Sequence, residues 1–251
     1  MQIFGDTNIG CVRKINQDYY TNRLINPSFA YSIVCDGMGG IEGGEIASRM
    51  AAEYIEKVLN NKIDENLSDE ELINLLDNCV KGANSEIFSY AMENQELKGM
   101  GTTAVVAVAK DNKIYGVSDG DSRLYKINTE QGTMEQITND HTLVQILLDK
   151  GQITAEQAKN HPKRHIITRA LGVDIFIETD AFETSFDEDE IILICSDGLY
   201  NYANKNEIIK KTKDCVQLGT VKPLIDAARA NGGGDNITAV IITHKSMGGT
   251  F

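Results

Sequence analysis

The chain predicts an α+β fold in which antiparallel sheets and helices are kept apart. Three observations carry that reading. Runs rich in β-branched residues recur near 29–35, 102–109, 113–119, 122–127, 176–182, 190–195 and 237–243. Two long helical patterns follow one another between the first of these runs and the second. The resulting order is strand, two helices, several strands, a helical insert, then strands with short helices, which does not match regular βαβ alternation.

Taken in order, the run Tyr31-Ser-Ile-Val-Cys35 reads as a buried strand ending in Asp36-Gly37-Met38-Gly39-Gly40. A helix is expected to start after Gly43-Gly44 and to run to about Asn60. A second opens at Ser68, with Glu71 three positions on as a capping box. Its apolar positions Leu72, Leu76, Cys79, Ala83, Ile87 and Ala91 keep helical spacing into the nineties. Three strands follow to residue 127. The stretch 139–172 has no clear strand, and short amphipathic helices are expected at Thr142–Lys150 and Thr154–Lys159, before His161-Pro162. Ile191-Ile-Leu-Ile-Cys-Ser196 then runs into Asp197-Gly198, and Gly232-Gly-Gly234 leads through Asp235-Asn236 into the last strand.

At 251 residues the length allows one large domain or two small ones. No Pro/Ser-rich linker or repeat divides the chain, so a single domain over 1–251 is expected. No apolar run approaches the ~20 residues of a membrane span. No basic stretch followed by an apolar core opens the chain, so neither membrane insertion nor a signal peptide is expected. Five scattered cysteines predict free thiols and a reducing, cytoplasmic setting. The net charge of −13 excludes the basic footprint that nucleic acid requires.

Chemistry concentrates in aspartates at strand ends. Each Asp-Gly alone is also a favoured hairpin turn. Several together, with no Gly-x-Ser-x-Gly elbow, no phosphate-binding Gly-Lys-Ser/Thr loop and no His-Glu-x-x-His, point instead to oxygen ligation of hard divalent cations. A metal-dependent hydrolase acting on phosphate esters is the reading these residues favour. Cys35 and Cys195 adjoin two of the aspartates but lie in apolar runs, as buried structural thiols do.

Eight motifs occur in sequence: Arg13-x-x-Asn16-Gln17-Asp18, Asp36-Gly-Met-Gly-Gly40, Gly101-Thr-Thr103, Gly120-Asp-Ser-Arg123, His161-Pro-x-Arg164, Thr168-Arg-Ala-Leu-Gly172, Cys195-Ser-Asp-Gly-Leu199 and Gly234-Asp-Asn-Ile-Thr238. Over essentially the whole chain this series resembles the protein phosphatase 2C (PPM) family of metal-dependent serine/threonine phosphatases, in its compact bacterial form. The resemblance implies a central antiparallel β-sandwich flanked by helices, in four α-β-β-α layers, with a helical flap at about 139–172. It implies two Mn²⁺ or Mg²⁺ ions bridged by Asp36, with the Gly37 carbonyl on one and Asp197 and Asp235 on the other. Asp18 would lie behind them or bind through water, a third ion would fall to Asp121 with Asp197, and Arg13 would grip the substrate phosphate. Asp36 and Arg13 are thus the catalytic residues expected, with a metal-activated hydroxide attacking phosphorus. Phosphorylated proteins, a cognate serine/threonine kinase and a monomeric state complete what the likeness implies.

Two departures stand out. Met38 and Ile41 occupy positions where many family members carry a histidine, so two candidate proton donors are absent. Gln17 precedes Asp18 where an acidic residue is often found, which implies weaker metal affinity on that side. His141, His161, His165 and His244 form no metal cluster in this reading, and the first three, in or beside the flap, are expected to be structural. Two other functions fit parts of the sequence: a regulatory binding module that has lost activity, and a two-metal nuclease, which the charge disfavours.

Overall fold

The structure, a computed structural model, describes residues 1–244; the end of the expected 1–251 domain and the Ile41 side chain lie outside the described residues. Two antiparallel sheets form the centre. One joins β1 (Gln2–Asn8), β11 (Ile237–Thr243), β10 (Ile191–Cys195), β7 (Arg123–Asn128) and β8 (Thr133–Gln136), in that spatial order. The other joins β2 (Asp18–Asn26), β3 (Phe29–Met38), β5 (Ala104–Lys110), β6 (Lys113–Asp119) and β9 (Asp180–Ser185), with the short β4 (Gly101–Thr102) on the end of β3.

Alternation along the strands builds the layers, because successive side chains point to opposite faces. Val34, Val105, Ala107, Ile192, Ile194 and Val240 meet between the sheets. Ile33 and Cys35 face outward from the second sheet, onto α1 (Gly40–Lys62) and α2 (Asp69–Glu93). Leu193, Cys195 and Ile241 face the other way, onto α5 (Asp197–Tyr200), α6 (Lys205–Leu218) and α7 (Lys222–Ala230). Four layers result, α-β-β-α, as the resemblance implied.

The helices form where caps and stripes coincide. Ser68 accepts from Glu71 N–H while the Glu71 carboxylate accepts from Ser68 N–H, closing the capping box of α2. In α1, Ala47, Ala51, Ile55 and Leu59 are fully buried at i, i+4 spacing. Asn204 caps α6, and Gly219, in the left-handed region at φ 66°, ends it.

Several boundaries differ from expectation. α1 begins at Gly40, three residues before the Gly43-Gly44 pair, because Gly39 at φ 119° turns the chain directly out of β3. The run near 102–109 is two strands that break at Thr103. The strand expected at 176–182 is β9, Asp180–Ser185, set by its register from Ser118↔Asp180 to Lys113↔Ser185. The preceding loop lies instead along α2, where Asn84 Nδ2 donates to the carbonyls of Asp174 and Ile175. Strands β1, β2 and β8 were not expected, and neither was the full length of α6. In the insert, α3 (Leu143–Asp149) and α4 (Ala155–Lys159) start directly after their caps Thr142 and Thr154.

Candidate active site

One end of the sandwich gathers the ends of five strands. β3 delivers Asp36 and Gly37; β2, its antiparallel neighbour, begins at Asp18, directly across from Asp36 in register. Asp121 follows β6 at the turn into β7, Asp197 opens α5 after β10, and Asp235 immediately precedes β11. Arg13 stands on the loop between β1 and β2. All seven positions singled out from the sequence converge here.

Two close approaches make this packing possible. A Cβ on Gly37 would lie 2.0 Å from the Gly44 carbonyl oxygen and 2.6 Å from that of Gln17; one on Gly198 would lie 1.9 Å from the Asn236 carbonyl oxygen. Only glycine lets the end of β3 press against α1, and α5 against the entry of β11.

The carboxylates crowd one another. Burial, followed by the charges of Asp18, Asp197, Asp121 and Asp235, raises the Asp36 carboxyl well above the usual carboxylate range. Burial and then Asp121 and Asp235 do the same to Asp197. Burial pushes Asp18 up to about 6, against hydrogen bonds from Ser196 Oγ and Thr238 Oγ1, both 2.7 Å from its Oδ2. Asp121 is likewise pushed up to about 6, first by burial and then by Asp140. The hydrogen bond from Arg13 Nη2 to Asp235 Oδ2, at 2.8 Å, is the main cause that raises the arginine further, with Asp36 and Asp197 adding to it.

Among the described residues, no three acidic, His or Cys side chains are closed around one point as a finished ion cage. The donor set nonetheless fits hard cations. Oδ1 of Asp18 and Oδ1 of Asp121 are buried with no hydrogen-bond partner, an arrangement that costs free energy unless a cation or proton meets it. Every candidate ligand is an oxygen, the donor that Mg²⁺, Mn²⁺ and Ca²⁺ prefer. Divalent charge would also relieve the repulsion that holds these acids up.

A polar frame surrounds the carboxylates that the sequence reading quoted in motifs without assigning roles. Asp36 N–H donates to Thr103 Oγ1 at 3.0 Å, Thr102 Oγ1 donates to the Asp36 carbonyl at 3.0 Å, and the Thr103 and Ser122 hydroxyls are 2.7 Å apart. Asn236 anchors the loop bearing Arg13, donating to the carbonyls of Ile9 and Ile15 and accepting from Gln17 N–H. His141 is buried at the base of the insert: its Nδ1 accepts from Gly120 N–H at 2.9 Å, and its ring lies against Asp119, Asp180 and Arg169. It is structural, as expected. Cys35 and Cys195 are free and buried, and burial pushes both thiols far up, so neither is a nucleophile.

Fold and site together define a class: a two-sheet α-β-β-α protein with an acidic, oxygen-lined centre at one end of its strands. Residues 12–224 match the model of the family described as protein phosphatase 2C, and the chain belongs to that family. It is 36% identical over 247 residues to the serine/threonine phosphatase stp of Listeria innocua, covering 96% of this chain and 95% of that one. The crystal structure of the serine/threonine phosphatase Stp1 from Staphylococcus aureus aligns with a TM-score of 0.87 at 32% identity, covering 96% of this chain and 93% of that one. The catalytic domain of the serine/threonine protein phosphatase PstP, solved with two manganese ions, aligns with a TM-score of 0.79 at 30% identity and 96% coverage of each.

Proposed function

We propose that this protein hydrolyses phosphoserine and phosphothreonine in phosphorylated proteins, with divalent metal ions held by the aspartate cluster of a single catalytic domain. The observation that carries the reading is the convergence of Asp18, Asp36, Asp121, Asp197 and Asp235, beside Arg13, at one end of the sandwich. Asp36 would hold two ions, the Gly37 carbonyl would bind one of them, Asp197 and Asp235 would complete the set around the other, and Asp18 would support them or bind through water. Asp121 with Asp197 would take a third. Manganese is supported by its presence in the PstP relative; magnesium shares the same ligand preference. Bound ions of this kind supply Lewis acidity towards phosphoryl oxygens and lower the pKa of water.

The protein's own groups do the positioning. Arg13 is half-exposed, and its guanidinium is free to turn from Asp235 towards a phosphate, whose oxygens its planar fork matches. Thr102 and Thr103 hold the Asp36 backbone, so the carboxylate keeps its aim as charge builds on the phosphoryl group. Met38 carries no titratable proton, so protonation of the leaving alkoxide falls to another group.

No described helix is long and apolar enough to cross a membrane. A monomer in the cytoplasm, opposing a serine/threonine kinase, is the setting we propose. The binding-only alternative is not favoured, since the relatives are phosphatases by name and every carboxylate of the cluster is present. Hydrolysis of a phosphothreonine peptide, with Mn²⁺, Mg²⁺ or EDTA and beside Asp36→Asn, tests the proposal. Metal-dependent turnover that disappears in the variant supports it; no turnover with any metal, from folded protein, overturns it.

A further inference from the structure

Next to the acidic centre a cavity of about 740 Å³ opens between the helical insert and the first sheet. Its lining carries both signs of charge. Asp121 and Asp197 belong to it, together with Asp140, which is neutralised by Arg123 through hydrogen bonds of 2.8 and 2.5 Å. Arg123 is further committed by its guanidinium, stacked 3.5 Å from the Tyr200 ring centroid. The lining also includes Lys159 at the end of α4, Arg164 and His165 from the insert, and Lys205 in the first turn of α6. Among the described residues, none of these four is within ion-pair distance of an acidic side chain. The 14-residue helix α6 also turns its N-terminal end, with its cap Asn204, towards the same space. An acidic protein of net charge −13 thus places three basic side chains without an acidic partner, Lys159, Arg164 and Lys205, in the lining of one cavity, beside the point where a phosphate would be cleaved.

We propose that this cavity receives the polypeptide flanking the phosphorylated residue and selects for an anionic side chain there, a carboxylate or a second phosphate, through Lys159, Arg164 and Lys205. The inference rests on the phosphatase reading and deepens it. A peptide anchored by its phosphate at the aspartate cluster carries its neighbours past Tyr200 into the cavity. Apolar surface from Val144, Met134 and Ile208 gives the chain a bed. The cations give it a sign: an acidic flank is attracted and a basic flank repelled, so selection comes from both. A second phosphate, carrying close to two charges, is held more strongly than a carboxylate.

The test compares phosphothreonine peptides in which Glu, phosphoserine or Lys is scanned through the positions on either side. The unmodified protein should show kcat/KM roughly three- to tenfold higher for Glu than for Lys at the favoured position, and higher again for phosphoserine. The preference should shrink as salt is raised. In Lys159→Ala/Lys205→Ala it should disappear, while turnover of p-nitrophenyl phosphate, which has no flanking chain, stays unchanged. A preference confined to phosphoserine would assign the cavity to multiply phosphorylated substrates, and one shared with Glu to acidic segments. Equal kcat/KM for Glu and Lys peptides, or equal losses on peptide and p-nitrophenyl phosphate in the double variant, overturns the proposal. Binding of the same peptides, labelled with a fluorophore, to Asp36→Asn provides an arm that needs no turnover. Identical affinities there defeat the cavity proposal even if the phosphatase reading itself has failed.

Discussion

Asp36 is the residue on which most of the site's electrostatics meet. Removing its charge while keeping its shape, in Asp36→Asn, is expected to lower turnover at least about 100-fold, since the group would anchor several kcal/mol of charge stabilisation. Thr103 offers a subtler case. Its hydroxyl accepts from Asp36 N–H and shares a proton with Ser122, tying the strand that bears Asp36 to the turn that bears Asp121. Thr103→Val should weaken metal binding about 10–100-fold, measured by Mn²⁺ titration, and Thr103→Ser should restore it. Equal binding in all three proteins would show that the hydroxyl has no hold on the ligands. His141 acts through structure: His141→Ala leaves Gly120 N–H buried without its acceptor. A loss of about 1–3 kcal/mol in urea unfolding is expected.

At the scale of elements, the site depends on how closely neighbouring backbones approach. Gly37→Ala would force β3 and α1 apart, and a loss of about 1–3 kcal/mol is expected from chemical unfolding. A wild-type unfolding midpoint would mean that the two elements separate at no cost. The elements also show what was legible in the sequence. Central strands β3, β5, β10 and β11 carry near-continuous apolar runs, because both their faces are covered. The unexpected strands β1, β2 and β8 are edges of their sheets. Half-exposed sequences such as Asp18-Tyr-Tyr-Thr-Asn-Arg23 carry no strong strand pattern, and pairing with β3 decides their conformation. Strand β9, also an edge, was displaced for the same reason: Phe176 looks strand-like but is 86% exposed, ahead of the residues that pair with β6.

For the whole molecule, the acidic end is a stability liability as well as a site. Folded-state values of about 6 for Asp18 and Asp121, and carboxyls raised well above the usual range at Asp36 and Asp197, exceed the ~3.9 of an unfolded aspartate. The folded protein without metal therefore binds more protons than the unfolded chain above pH ~4, and its stability falls as pH rises through about 6 and beyond. A divalent ion bound only to the folded state reverses the loss, by about 2.7 kcal/mol at 100 times its Kd. Thermal melts in EDTA should fall from about pH 4 upward through about pH 6, and Mn²⁺ should raise the melting temperature most at the higher pH. A melting temperature independent of both pH and Mn²⁺ would mean that the aspartates neither repel one another nor bind ions.

The sequence by itself determined the central strands, both long helices, the helical insert and every aspartate later found at the site. Those features are local: apolar runs, helical spacing and Asp-Gly turns are written in consecutive residues. Only the tertiary structure decided the edge strands, the layering of the sheets, the hold of Thr103, Asn236 and His141 on the site, and the basic residues that line the cavity. These depend on contacts between residues far apart in the chain. Asn236 reaching Ile9 and Ile15, and Lys159 facing the same space as Asp197, are products of packing that no short window of sequence records.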